Sequence, residues 1–136
     1  MKRHYLFDTG IAQDYQAKRG GIRERAIAQR KIGHRIGICV PVLGELWSGV
    51  ECSSSRQRNL AGLRQALSTL VIWPYTPEAA EQYGRIFAEM QLAGRTIQQI
   101  DMQIGAIART LSNWIVVSKD ADLSAIPGIT VENWTA

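Results

Sequence analysis

Four acids stand where a folded chain could bring carboxylates together. Asp8 directly follows the apolar run Tyr5-Leu6-Phe7, and Asp120 follows Trp114-Ile115-Val116-Val117 by three residues. Glu45 and Asp101 fall in the first turns of stretches with helical spacing. If the apolar runs are strands of one sheet, all four acids arrive near its carboxyl edge. Carboxylates that close repel one another, and some would stay protonated unless a cation offset the charge. Oxygen donors without sulfur or imidazole suit a hard ion, Mg²⁺ or Mn²⁺. Mg²⁺ keeps several waters and is commonly completed by substrate phosphate, so the expected chemistry is that of phosphodiesters. Each acid alone has a plainer explanation. Glu45 or Asp101 would complement a helix dipole for about 0.3–1 kcal/mol, Asp8 would sit in a turn, and Asp120 would be a solvated loop acid. Their joint placement favours a site. Glu78, Glu81 and Glu89 have no strand-end context and are expected to form a solvated helix face.

The elements that must position these acids alternate along the chain. Tyr5–Phe7 reads as a buried strand that runs into a turn at Asp8-Thr9-Gly10. Gly20-Gly21 precedes a basic helix over about Ile22–Lys31, and Gly33 can stop it. Arg35–Val40 is a second strand, and Pro41 favours the first turn of the helix carrying Leu43, Leu46, Trp47 and Val50. Ser53-Ser54-Ser55 offers an N-cap for a helix with Leu60, Leu63, Leu67 and Leu70 on one face. Val71–Trp73 is a short third strand. Thr76-Pro77 starts a helix that runs toward Gly94, and a further helix spans about Gln98–Leu111. Trp114–Val117 is a strand, Ser118–Ser124 a polar loop, and Ile129–Val131 a last edge strand. This alternation predicts an α/β fold, a three-layer α/β/α sandwich with a short-stranded, mainly parallel sheet. One domain over residues 1–136 is expected, without repeats or linkers. In such sheets sites form beyond the carboxyl ends of the strands.

Composition narrows the classes. The chain is 46% hydrophobic and 21% charged, which argues against disorder as the main state. The net charge of +4 permits a nucleic-acid partner without demanding one. Its distribution is more telling, because seven of the sixteen cations lie between Lys18 and Arg35 with Glu24 as the one acid among them. Cys39 and Cys52 form no Cys-x-x-Cys pair, so zinc is disfavoured, and reduced thiols packed in or near a core are expected. Asp8 interrupts the apolar N-terminus too early for a signal peptide, and no run is long enough to span a membrane. A soluble, cytoplasmic protein is expected. Trp47, Trp73, Trp114 and Trp134 are read as core or interface residues rather than base-stacking platforms.

Taken together, these motifs resemble a known family. Tyr5-Leu6-Phe7-Asp8-Thr9 is similar to the opening of a PIN domain, and Val40–Val50, with Glu45-Leu46, resembles its second motif. Ile97–Ala108, around Asp101, resembles the third, and Val117–Leu123 the fourth. The tail Ile126–Trp134 is similar to the ending of the VapC-type toxin branch. No single motif is specific; four in order, plus the tail, are. Two positions depart from the pattern. Gly10 stands where the family usually has Asn, and Ser118 where it usually has Thr. Asp122 is an additional acid that many members carry, ranked below Asp120 as a direct ligand.

The resemblance implies a Mg²⁺-dependent endoribonuclease, the toxin of a type II toxin–antitoxin pair. Asp8, Glu45, Asp101 and Asp120 would hold one or two metal ions, with Asp122 as a supporting or alternative ligand. Thr9 and Ser118 would hold carboxylates in place. The Lys18–Arg35 segment, with Arg19, Arg23 and Arg25, would either grip the RNA backbone without reading sequence or form a solvated helix face, the commoner outcome for a charge run. A small antitoxin protein and a second copy of the chain are the implied partners. The rival reading is a PIN-like RNA-binding or scaffold module with impaired catalysis, which Gly10 favours and the four acids oppose. A phosphoacceptor signalling domain is also an α/β sandwich with a lysine near strand-end acids, as Lys119 is here. That pattern fails, because Thr9 follows Asp8 and Pro74 follows Trp73.

Overall fold

The computed structural model describes residues 2–135. Residues 1 and 136 of the expected domain lie outside the described ones. The elements run β1 (His4–Phe7), α1 (Thr9–Ala17), α2 (Ile22–Lys31), β2 (Arg35–Cys39), α3 (Val40–Glu51), α4 (Arg56–Leu67), β3 (Val71–Trp73), α5 (Pro77–Leu92), α6 (Gln99–Arg109), β4 (Trp114–Val117), α7 (Ala121–Ser124) and β5 (Thr130–Glu132). The five strands form one parallel sheet in the order β3-β2-β1-β4-β5. No helix among the described residues is long and apolar enough to cross a membrane.

Chain order and strand order together fix the layers. The chain moves outward from β1 through β2 to β3, then returns to the other side of β1 for β4 and β5. Parallel crossovers are right-handed, so α1–α4 cover one face and α5–α7 the other. The helix contacts agree, since α1 packs on α2, α3 and α4, while α5 packs on α6 and α6 on α7. Strand order therefore reverses between β1 and β4, which opens a crevice at their carboxyl ends. The register Phe7↔Val117 makes the next residues on each strand, Asp8 and Ser118, neighbours at that crevice.

Strand β1 lies at the centre, with Leu6 and Phe7 fully buried. Trp134 packs edge-on against Tyr5 and Phe7, and Trp114 stacks on His4 and lies against Trp73. Trp47 is half-buried, so all four tryptophans contribute to packing. Cys39 is buried as expected; Cys52 is exposed at the end of α3 instead.

Several sequence expectations need correction. Asp8-Thr9-Gly10 is the start of α1 rather than a turn. The Asp8 carboxylate accepts the Ile11 N–H at 2.8 Å, and the helix buries Ile11, Ala12 and Tyr15. Gly10 at a helix start is tolerated, and it hid this nine-residue helix from the apolar pattern. The polar loop after β4 contains the short helix α7, capped by Asp120. Glu89 is not a solvated acid: it pairs with the largely buried Arg109, which also donates to the Pro127 carbonyl and ties α5 and α6 to the tail. Ser55 holds the N-cap position of α4 without a side-chain cap, and the Ser53 hydroxyl accepts the Ser55 N–H.

Sheet packing leaves no room at Gly37 on β2. A Cβ there would lie 2.6 Å from the Val71 carbonyl oxygen of β3, a backbone atom that cannot swing aside. Gly37→Ala should lower stability by about 1–3 kcal/mol, read as a lower urea midpoint at unchanged slope; an unchanged midpoint would mean that β3 shifts freely.

Candidate metal centre

Each acid of the crevice is delivered by a different local device. Asp8 leaves β1 and caps α1, with Oδ1 on the Ile11 N–H and Oδ2 accepting the Ser118 hydroxyl at 2.6 Å. The same Ser118 hydroxyl accepts the Asp120 N–H at 2.9 Å, and Asp120 in turn accepts the Asp122 N–H at 2.9 Å. One buried serine thus links the ends of β1 and β4 and orders the turn that carries two further acids. Asp101 projects from the first turn of α6, across the reversal point from Asp8.

Asp101, Asp120 and Asp122 each offer an oxygen within 4.8 Å of the others. Asp8 and Glu45 stand outside that compact trio. They line the same cleft as Asp101, Asp120 and Lys119, a hollow of about 370 Å³. Glu45 and Gln98 also border an adjoining hollow of about 580 Å³ that continues past Pro41 and Tyr75, so the acids lie along an elongated groove. Glu45 is exposed on α3, whereas Asp8 and Asp101 are each only 7% exposed. Asp122, ranked below Asp120 from the sequence, is brought in as closely as Asp120; its Oδ1 also lies 3.4 Å from Arg95 Nη2.

Burial and like charge act together on these groups. Asp101 is pushed up to about 6, first by desolvation and then by Asp120, Asp8 and Asp122. Asp8 is also raised by burial and by Asp120, against the opposing pull of Ser118, the Ile11 N–H and Lys119. Buried carboxylates that resist ionisation in one another's presence are the donor set that a divalent cation suits, and the oxygen-only chemistry fits Mg²⁺ or Mn²⁺.

The other expected residues fare differently. Ser118 holds Asp8, while the Thr9 hydroxyl is buried without a hydrogen-bond partner among the described residues. Thr9 is therefore not the carboxylate donor it was expected to be. At Gly10 a Cβ would meet Asp8 Oδ1 at an ordinary 3.8 Å, so the position is open and Asp8 is oriented without a side chain there. The basic segment is largely engaged within the fold. Arg23 donates to the Tyr15 carbonyl at the end of α1 distal from Asp8, and Arg25 stacks over Trp134 at 4.9 Å. Arg19 pairs with Asp14. Asp14, buried on α1, drew no attention from the sequence, and neither did Arg95; both become visible only once their ion pairs are formed.

Comparison with known proteins follows this geometry. The family model for the PIN domain matches residues 5–129. "Ribonuclease VapC2" of Haemophilus influenzae is 32% identical over 132 residues, 96% of this chain and 97% of that protein. The "tRNA(fMet)-specific endonuclease VapC" of Shigella flexneri is 28% identical and covers 96% and 98%. The crystal structure of DNA-bound VapBC from Salmonella typhimurium superposes with a TM-score of 0.87 at 30% identity, covering 97% of this chain and 98% of that one.

Two outcomes test the site's electrostatics. Because Asp101 is raised above its unfolded value, its neutral form favours the fold at low pH. That contribution is lost as pH rises from about 4 through about 6. In EDTA, Asp101→Asn should therefore gain stability relative to the parent as pH rises from about 4 to about 6 and keep that gain above it; a difference in urea midpoint that stays constant across that window would refute the assignment. Ser118→Ala should remove Asp8's partner and weaken Mn²⁺ binding by about tenfold, with Ser118→Thr retaining it.

Proposed function

Because the chain belongs to the PIN-domain family, in its VapC ribonuclease branch, we propose that it is a metal-dependent endoribonuclease, the toxin partner of a cognate antitoxin. The observation that carries this reading is the acidic cleft at the strand-reversal point, where the buried Asp8 and Asp101 stand beside Asp120 and Asp122 and are harder to ionise there. Asp8, Glu45, Asp101 and Asp120 would hold Mg²⁺, with Asp122 as a supporting or alternative ligand, and residues 1–136 would act as one nuclease unit. Bound there, a divalent cation would make water nucleophilic near neutral pH and offset charge on the phosphate.

The chain's own groups supply the rest. A carboxylate of the cleft orients the attacking water and accepts its proton. Water oxygen bonds to phosphorus, one P–O ester bond breaks, and the leaving oxygen takes up a proton. Ser118 keeps Asp8 aligned through this cycle. The elongated groove past Glu45 and Gln98 suits an extended single strand. Arg23, Arg25 and the rest of the basic segment add long-range attraction for a polyanion, while the charge of Arg19 is partly offset by its pair with Asp14. The Shigella relative, a tRNA(fMet)-specific endonuclease by name, points to transfer RNA as the first substrate to try. An antitoxin partner is part of the proposal, since the Salmonella structure is one of VapBC; a homodimer and a cytoplasmic setting are proposed with it.

The test is cleavage of a mixed RNA pool and of initiator transfer RNA by purified, antitoxin-free protein with Mg²⁺ or Mn²⁺. Asp8→Asn, Asp101→Asn and an EDTA control run beside it. Metal-dependent cleavage lost by at least about a hundredfold in both variants is the expected result. Cleavage that survives in both would overturn the site, and folded protein that binds RNA and Mn²⁺ without cutting either substrate would favour the binding-module reading.

A further inference from the structure

Asp8, Glu45, Asp101 and Asp120 line one hollow. Among the described residues that line it, Lys119 is the one positive side chain, between Ser118 and Asp120 and beside Asp8. A lysine next to carboxylates would ordinarily be drawn onto them by opposite charge. It does not do so here. Lys119 Nζ points to Asp14 Oδ2 on α1, at 3.5 Å. The other Asp14 oxygen accepts Arg19 Nε at 3.2 Å. The Asp14 side chain is 12% exposed and that of Lys119 is 55% exposed, so the anchor is fixed and the ammonium stays within reach of a ligand.

This arrangement does two things at once. It keeps the ammonium off Asp8 and Asp120, leaving their free lone pairs to a metal ion. It also holds a mobile point charge at the wall of the cleft, where a phosphate drawn to that metal would need a second counter-charge. Lysine suits the task, being a compact, flexible cation that meets phosphate without fixed geometry. The 3.5 Å separation is long for a charged pair, so the tether orients the side chain without locking it.

We propose that Lys119 is the phosphate-binding residue of the cleft and that Asp14 is its positioning residue, which keeps it from competing with the metal. This rests on the nuclease reading above. If Asp14 is removed, the ammonium collapses onto Asp8 and Asp120, so loss of a carboxylate that touches no metal weakens metal binding.

The experiment is a Mn²⁺ titration followed by calorimetry, together with KM and kcat for RNA cleavage, on the full chain and on Lys119→Ala, Lys119→Arg, Asp14→Asn and the Asp14→Asn/Lys119→Ala double variant. Thermal unfolding checks that each is folded. Lys119→Ala should raise KM by about tenfold without weakening Mn²⁺ binding, and Lys119→Arg should recover part of that loss. Asp14→Asn should weaken Mn²⁺ binding by roughly fivefold, and the double variant should restore it. A merely structural Asp14 would not be rescued by removing Lys119. Unchanged Mn²⁺ affinity in Asp14→Asn, or a double variant as weak as Asp14→Asn, overturns the inference while leaving the nuclease standing. A parent protein that neither binds Mn²⁺ nor cuts RNA brings down both.

Discussion

The parallel pairing of β1 with β4 governs the rest of the molecule's chemistry. Its register puts Phe7 opposite Val117, so the two strands end together and their next residues, Asp8 and Ser118, meet. From that meeting follow the 2.6 Å hydrogen bond to Asp8, the capping of α1, and the ordering of the Asp120–Asp122 turn through the same hydroxyl. A one-residue slip would turn these side chains to the opposite face of the sheet and separate the acids. The apolar faces of β1, with Leu6 and Phe7 fully buried, hold that register in place.

The cost of this arrangement is electrostatic. Three carboxylates within 4.8 Å, one of them buried, and a fourth buried beside them oppose folding at neutral pH. The protein answers with hydrogen bonds to Asp8, an ion pair from Arg95 to Asp122 and a buried counter-anion that controls Lys119. None of these cancels the charge on Asp101, which stays raised. A site with such crowded charge gains most from a cation, which links its electrostatic cost to the activity of its family.

The basic segment shows how the same charge can serve two ends. Between Lys18 and Arg35, three arginines close a helix end, stack on aromatic rings and anchor loops: Arg23 on the α1 terminus, Arg25 on Trp134, Arg30 on Tyr15 and Thr69. Guanidinium groups keep their charge in such contacts and add to the field that draws a polyanion. The cations that stand closest to the acids, Lys119 and Arg95, lie outside that segment, so the density of charge in the sequence does not mark the place where charge meets the site.

By itself the sequence determined the fold class, the alternation of elements and the acids at the strand ends. These rest on local pattern: apolar runs of strand length, Thr76-Pro77 at a helix start, and an acid directly after Tyr5–Phe7. It did not show α1, because Asp8 caps that helix through a side chain that also looks like a turn residue, and Gly10 masks its start. It ranked Asp122 below Asp120, although the fold brings both equally close to Asp101, and it did not place Glu45 on an exposed helix face, because distances between elements depend on how α3, α6 and α7 pack. Nor did it single out Asp14, an acid on a helix like any other until the fold buries it and brings in Lys119 from 105 residues away. Pattern along the chain decides which residues reach the sheet edge; only packing decides how deeply each is buried and which charges it must face there.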